Sequence, residues 1–167
     1  IVFMNKEIEF KTFEVKKDEW SSSRFVSETF TGNLEQDQVL LKIDRFALTT
    51  NNITYCAAGD MFGYWGFFPT EEGFGRVPVM GYSDVVASNH QDVQVGERLW
   101  GFYPMSNYLV VKAGKASQSN FFDVSEHRQQ YAPIYSQYLR ALSNPNYKPA
   151  REDHDLLLRG LYLTSWL

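Results

Sequence analysis

The sequence predicts a mainly β fold with helices at its C-terminal end, and two observations lead to it. In the first two thirds of the chain, β-branched and aromatic runs alternate with Gly, Asn, Asp and Pro at intervals of about 8–12 residues, which is typical of an antiparallel barrel or sandwich. After residue 122, apolar residues recur at helical spacing instead. The 167 residues, 44% hydrophobic and 22% charged, suffice for one globular domain with a buried core.

Six segments carry the strand pattern. In residues 7–15, Ile8, Phe10 and Phe13 stand among charged residues, which predicts a half-buried strand. The other segments are rich in β-branched and apolar residues: 23–31, 39–48, 77–88, 97–103 and 108–112.

A long loop is expected between residues 59 and 75, where five glycines accompany Trp65, Phe67 and Phe68. Loops of this length are often functional or lid-like. Its aromatic side chains either fill the mouth of the barrel or stack on a planar substrate such as a quinone or an enone.

Two helices are predicted after residue 122. The first begins near Pro133, because proline fits the first turn of a helix and not its interior. Its apolar stripe consists of Tyr131, Tyr135, Tyr138, Leu139 and Leu142. The second, 155–167, is apolar almost all round, which predicts that it is buried against a partner: a missing domain or a second copy of the chain.

Composition excludes several classes of protein. The 16 Lys and Arg against 20 Asp and Glu give a net charge of −4, so we expect no nucleic-acid partner. No apolar run reaches the roughly 18–20 residues that a membrane span needs. The single cysteine, Cys56, excludes an internal disulfide and any multi-cysteine metal site, and no secretory signal is visible. We therefore expect a cytoplasmic protein.

Both ends of the chain suggest a fragment. It begins Ile1-Val2-Phe3-Met4 and stops at Ser165-Trp166-Leu167, within an apolar segment. The last residues of a domain are usually polar and loosely ordered.

Three segments carry a family resemblance. The run from Val39 to Tyr55, followed by Gly59, holds a strand, an Asn-containing turn and a short Tyr-containing helix. Val95-Gly-Glu-Arg-Leu-Trp-Gly101 and the strand at 106–111 follow in order. Together they resemble the catalytic domain of the medium-chain dehydrogenase/reductases, in the zinc-free quinone-oxidoreductase branch. The likeness spans residues 5–167, and it is closer still to a subgroup that is a domain family of unknown function.

The resemblance implies a GroES-like β-barrel over residues 1–122 and a helical segment, 123–167, that leads to a Rossmann domain absent from this sequence. It implies a zinc-independent enzyme that passes hydride from NAD(P)H to a carbonyl, enone or quinone. No cofactor is expected on this chain alone, which we therefore expect to be inactive. Gly73-Phe-Gly75 lacks the third glycine of a dinucleotide-binding loop. The alternative is a non-catalytic binding or assembly module that keeps the fold.

Zinc ligands are missing where zinc-dependent relatives carry them. Gly81-Tyr-Ser-Asp84 replaces the Gly-His-Glu of those relatives. A catalytic zinc needs about three protein ligands, and Cys56 cannot supply them alone. We therefore predict that no metal is bound.

The resemblance also selects candidate cleft residues on the short helix. Tyr55 is expected to position the carbonyl for hydride attack, Asn51 and Asn52 to hydrogen-bond the cofactor, and Thr54 to line the substrate cleft. The alternative is structural: the asparagines cap the helix and Tyr55 packs in the core.

Further candidates lie outside that helix. Tyr82 and Ser83 stand where zinc-dependent relatives keep ligands, so Tyr82 either acts as a general acid or only lines the cleft together with Ser83. Trp65 is expected to line the cleft from the aromatic loop. A nucleophilic Cys56 would need a histidine as base, whereas a lone cysteine is more often a small buried hydrophobe.

Overall fold

Nine β-strands and two α-helices form the part of the chain that this computed structural model describes, residues 7–163. The helices are α1 (Thr50–Ala57) and α2 (Glu152–Leu163). The strands are β1 (Ile8–Lys16), β2 (Ser23–Phe30), β3 (Gln38–Ala47), β4 (Phe74–Gly75), β5 (Val79–Ser88), β6 (Arg98–Tyr103), β7 (Tyr108–Lys112), β8 (Asn120–Phe122) and β9 (Gln137–Arg140).

The strands form two antiparallel sheets. The smaller has the order β2-β1-β4, and the larger has the order β7-β3-β5-β6-β9-β8. The larger sheet curls into a half-barrel. In β3 the register shifts twice, between Leu40 and Leu41 and between Ile43 and Arg45. Such bulges bend a strand and increase its twist, which supports the curl.

The two sheets meet where β1 passes the connection between β6 and β7. The Thr12 hydroxyl donates to the Ser106 hydroxyl at 2.9 Å, and the Phe13 amide donates to the Met105 carbonyl at 2.9 Å. Thr12 and Ser106 are both buried, so this contact joins the sheets through satisfied polar groups.

All six predicted strands are confirmed, each with bounds within two residues of the prediction. The main core lies on one face of the larger sheet, and its members come mostly from alternate positions of those strands: Val39, Leu41, Ile43, Val79, Val85, Leu99, Tyr103 and Val111. The predicted mainly β class therefore holds for the described residues.

The predicted helix beginning near Pro133 is wrong. Residues Pro133–Ser136 form a 3-10 turn, and the chain then continues as β9, which pairs with β6 and β8. Tyr138 is fully buried on β9, stacked on Phe121 with the ring centroids 5.5 Å apart. Between residues 123 and 163 the predicted helical segment, 123–167, is thus only partly helical, and the domain boundary at residue 122 stays a prediction.

The second predicted helix is present as α2, but it begins at Glu152, three residues before the predicted start. Leu156 is buried against the larger sheet, whereas Leu157 and Leu158 are exposed, so the helix is not apolar on every side. Trp166 and Leu167 lie outside the described residues. A partner on this helix stays a prediction.

The loop between α1 and β4 packs onto the barrel through its aromatic residues. Trp65, Phe67 and Phe68 are buried, while Phe62 is exposed. Trp65 lies so close to Gly59 that a Cβ there would sit 2.1 Å from the indole nitrogen. Only glycine fits beside the indole, because no real Cβ contact is that short.

Candidate functional site

The start of α1 is fixed by the side chain of Asn52. Its Oδ1 accepts a hydrogen bond from the backbone N–H of Thr49 at 2.7 Å, and its Nδ2 donates to the Pro78 carbonyl at 2.9 Å. Asn52 is buried, so these bonds use its amide to hold the helix against the segment before β5. This is the capping role of the structural alternative, and it leaves Asn52 poorly placed to meet a cofactor.

A small crevice lies between α1 and α2. Asn51, Asn52 and Tyr55 line it from α1, together with Ala47, Thr49, Met80, Leu156 and Leu157. Its volume is about 20 Å³, which is room for one water-sized group and not for a whole substrate. The structure thus brings together Asn51, Asn52 and Tyr55 of the predicted site residues.

The two α1 side chains that could serve a ligand there are Asn51 and Tyr55. Within the described residues, neither the Asn51 amide nor the Tyr55 hydroxyl has a hydrogen-bond partner by distance and angle, and both residues are half-buried. Burial, and to a lesser extent nearby Tyr135, raise the pKa of Tyr55 to about 12. Tyr55 therefore stays a neutral hydrogen-bond donor over the physiological pH range.

An aromatic cluster that the sequence analysis missed supports Tyr55. The ring of Tyr55 lies 4.7 Å from that of Tyr64 and 5.7 Å from that of Phe102, and Tyr135 lies 6.0 Å from Tyr64. Burial and the hydroxyl of Tyr135 raise the pKa of Tyr64 well above its usual value. Three tyrosine side chains therefore share one region of the fold, and burial keeps Tyr55 and Tyr64 protonated. The Tyr131 and Tyr135 spacing was visible in the sequence, but it suggested a helix.

A buried arginine holds this cluster together. Arg128 is 1% exposed, and its guanidinium lies 4.8 Å from the ring centroid of Phe68. It donates to the carbonyl oxygens of Phe67, at 3.2 Å, and Tyr135. Among the described residues no carboxylate lies within ion-pair distance of it. Arg128 thus ties the aromatic loop to the 3-10 turn before β9 through neutral acceptors.

The structure does not bring Tyr82 and Ser83 to the crevice. Neighbouring residues on a strand point to opposite faces, so the two side chains separate. Ser83 is fully buried, with its hydroxyl 2.9 Å from that of Tyr103.

Tyr82 is buried beneath α2, in a cluster with Trp100 and Leu156. Burial, and then Asp155, raise the pKa of Tyr82 despite the nearby Arg159. A raised pKa and 1% exposure leave this phenol badly placed to exchange a proton with a ligand.

Trp65 and Thr54, the remaining predicted site residues, also lie away from the crevice. Trp65 is buried in a cluster with Val15 and Val77 and does not line the crevice. Thr54 is exposed on α1, away from the crevice lining. Cys56 packs against the Trp65 cluster, and burial raises the pKa of its thiol, which opposes thiolate formation.

The described residues contain neither a metal-binding cluster nor a membrane-spanning helix. Between residues 7 and 163, no group of three or more His, Cys, Asp or Glu side chains could hold a metal ion. In the same range, Gly73 precedes the two-residue strand β4 and Gly75 ends it, and the chain then leads to Pro78 and not to a helix, so these glycines do not fit a dinucleotide's pyrophosphate. No helix in that range is long and apolar enough to span a bilayer.

Comparison with known proteins gives one family and one structural likeness. Residues 46–167 match the family described as "Protein of unknown function (DUF2855)". No curated protein matches the chain. Among solved structures, it is similar to the quinone oxidoreductase from Coxiella burnetii, with 14% sequence identity and a TM-score of 0.41. That match covers 77% of this chain and 40% of the oxidoreductase, so this chain spans less than half of that protein.

Proposed function

The chain belongs to the DUF2855 family of proteins of unknown function, and we propose that it forms the carbonyl-binding part of a zinc-independent reductase. The observation that carries this proposal is that Asn51 and Tyr55 line the same crevice, each with a polar side-chain group that no residue between 7 and 163 hydrogen-bonds. Its volume of about 20 Å³ suits a single carbonyl oxygen, with the remainder of the substrate outside it.

The chemistry follows from the state of the two side chains. A neutral phenol and an amide N–H both donate hydrogen bonds, and donors fixed in a partly dehydrated site stabilise the negative charge that develops on a carbonyl oxygen during reduction. The pKa of Tyr55, raised to about 12 by burial, keeps its proton in place for this role. Asn52 acts as a positioning residue, because it anchors the helix that carries both donors.

The cofactor would be held outside the described residues. The motif resemblance implies NAD(P)H as the source of the hydride, but Gly73 and Gly75 do not fit a dinucleotide. The part contributed by this chain is therefore orientation and polarisation of the substrate carbonyl, which is an enone, a quinone or a simple carbonyl compound.

A fluorescence titration with NADH and NADPH tests the proposal. We expect the 167-residue chain to leave the cofactor fluorescence unchanged and the product of the complete reading frame to shift it saturably. If that complete product binds neither nucleotide, the reductase proposal is wrong and the non-catalytic binding module replaces it. Tryptophan emission of both proteins, measured beforehand, shows that each is folded.

A further inference from the structure

An open groove runs between the two sheets, on the side of β3 away from the crevice. Its volume is about 570 Å³, which lies within the roughly 300–1,000 Å³ of small-molecule pockets. Its apolar walls come from β1, from β2, from β3 with the residue that follows it, and from the connection between β6 and β7. The side chains are Phe13, Phe25, Ile43, Phe46, Leu48 and Met105.

Several of these large apolar side chains are exposed to solvent. Phe25 and Leu48 are each 67% exposed, and Phe46 is 39% exposed. When several large apolar side chains line the same exposed concave surface, that surface is often a binding site. Phe13 and Phe25 pack edge to face with their centroids 5.4 Å apart, so the aromatic wall is already formed.

With one exception, the polar and charged side chains that line the groove have hydrogen-bond or ion-pair partners within the protein. The Ser106 hydroxyl accepts a hydrogen bond from the Thr12 hydroxyl. The Asn107 side chain accepts one from the Lys11 backbone N–H and donates one to the Glu9 carbonyl. Asp44 is engaged by Arg45 and Arg98.

The exception is Lys11. Its Nζ lies 5.5 Å from the ring centroid of Phe25, and no carboxylate in residues 7–163 lies within ion-pair distance of it. The groove therefore offers an apolar bed with one uncompensated cation at its side.

We propose that this groove binds an amphipathic monocarboxylate, with its aliphatic or aromatic body against Phe13, Phe25 and Phe46 and its carboxylate at Lys11. The apolar walls supply the burial that drives binding, and Lys11 orients the ligand, because no carboxylate between residues 7 and 163 pairs with its charge. A neutral apolar ligand fills the same bed but gains nothing from Lys11.

The groove is separate from the crevice of the proposed function. Phe46 and Leu48 line the groove, whereas the alternating residues Ala47 and Thr49 line the crevice. Successive residues of an extended chain face opposite sides, so the two sites share no lining residue.

Octanoate and 1-octanol test the proposal as a matched anionic and neutral pair. Each is titrated into the isotope-labelled 167-residue chain while the backbone amide resonances are followed by NMR. We expect saturable octanoate shifts centred on Lys11, Phe25 and Asn107, with weaker binding of 1-octanol at the same residues.

Two exposed substitutions separate the charge from the apolar wall. Lys11→Met should weaken octanoate about threefold and leave 1-octanol unchanged, in the range of a partly exposed charge pair. Phe25→Thr should weaken both ligands about tenfold. The matched controls Lys16→Met, on the same strand, and Phe62→Thr, an exposed aromatic residue outside the groove, should bind as the parent chain does.

Three outcomes would overturn the inference: no saturable shift, shifts confined to the Asn51–Tyr55 crevice, or an equal effect of Lys11→Met on both ligands. Sedimentation equilibrium gives a fourth, since a dimer lost on Phe25→Thr substitution would mean that a second copy covers the groove. None of these results bears on whether the complete product binds NAD(P)H, so failure here leaves the proposed function standing.

Discussion

Arg98 on β6 holds Glu152, the first residue of α2, through two hydrogen bonds, from Nε to Oε1 at 2.9 Å and from Nη2 to Oε2 at 2.6 Å. Arg98 also bonds Asp44 on β3 and Asp84 on β5. One guanidinium therefore ties three strands of the larger sheet to the start of α2. The same contact sets Leu156 and Leu157 against the crevice, since they follow one helical turn later.

Loss of the charge on Glu152 should loosen α2. Because Glu152 is 4% exposed, Glu152→Gln should lower the free energy of unfolding by about 2 kcal/mol, the range for hydrogen bonds to charged groups. Urea denaturation followed by circular dichroism measures it. The control is Asp153→Asn, an exposed partner of Arg45, for which we expect a change below about 0.5 kcal/mol. Equal losses in the two variants would contradict the assigned role of Arg98.

Acid should destabilise the protein through Glu14. Burial raises the pKa of this carboxyl, but hydrogen bonds from Thr70, Arg76 and Arg24 outweigh burial and hold the pKa below its usual value. A lowered folded-state pKa gives stability that is present above the unfolded-state pKa of about 4.3 and is lost as the pH falls through the folded-state value.

The test is chemical denaturation between pH 7 and pH 3. The parent chain should lose stability as the pH falls below about 4.3. Glu14→Gln should be less stable at pH 7 and should show a shallower dependence in acid. Glu28→Gln, which removes an exposed partner of Arg76, serves as the control and should keep the parent slope. If the stability of Glu14→Gln fell with pH as steeply as that of the parent chain, other carboxyl groups would be the cause of the acid effect.

Removal of the buried Ser83 hydroxyl should affect stability and not ligand binding. Ser83→Ala leaves the Tyr103 hydroxyl with only the longer bond to the Leu99 carbonyl, 3.3 Å away, so we expect a loss of about 1 kcal/mol. Ser143→Ala, at an exposed position, should change stability much less. A change in substrate KM or cofactor affinity in Ser83→Ala would contradict this structural role and would indicate that Ser83 lines the substrate cleft.

Most of the strand architecture could be predicted from the sequence because it is written in local patterns. The alternation in residues 8–13 and the largely apolar run at 39–43 identify β1 and β3 without any knowledge of their partners. β9 could not be found in this way, because four residues are too few to display a period. Tyr131, Tyr135 and Tyr138 mimic a helical stripe by their spacing alone.

Long-range packing decides the conformation of that segment. Tyr138 fits above Gly101 on β6, where a Cβ would come within 2.6 Å of its ring, and Leu139 pairs with Trp100 in the sheet. Neither neighbour is close in sequence, so the local spacing cannot reveal the contact.

The candidate site was predicted only in part for a related reason. Asn51 and Tyr55 are on one short helix, so their proximity follows from helical geometry. Tyr64 and Tyr135 come from the aromatic loop and from the turn before β9, and they meet only once the sheet has formed. Ser83 was misplaced because the register of β5 decides which of two neighbours faces the core, and that register depends on β3 and β6.

The most direct test of the proposed function is the rate of enone and quinone reduction with NADH or NADPH, measured on the product of the complete reading frame and on its Tyr55→Phe variant. We predict cofactor-dependent turnover in the parent and a kcat about a hundredfold lower in Tyr55→Phe, as expected for loss of one preorganised donor, with the KM for the cofactor unchanged. Tyr108→Phe, a half-buried tyrosine packed on Phe10, should retain the parent kcat. Parent-like turnover in Tyr55→Phe, or no reduction in any of the proteins, would contradict the proposal.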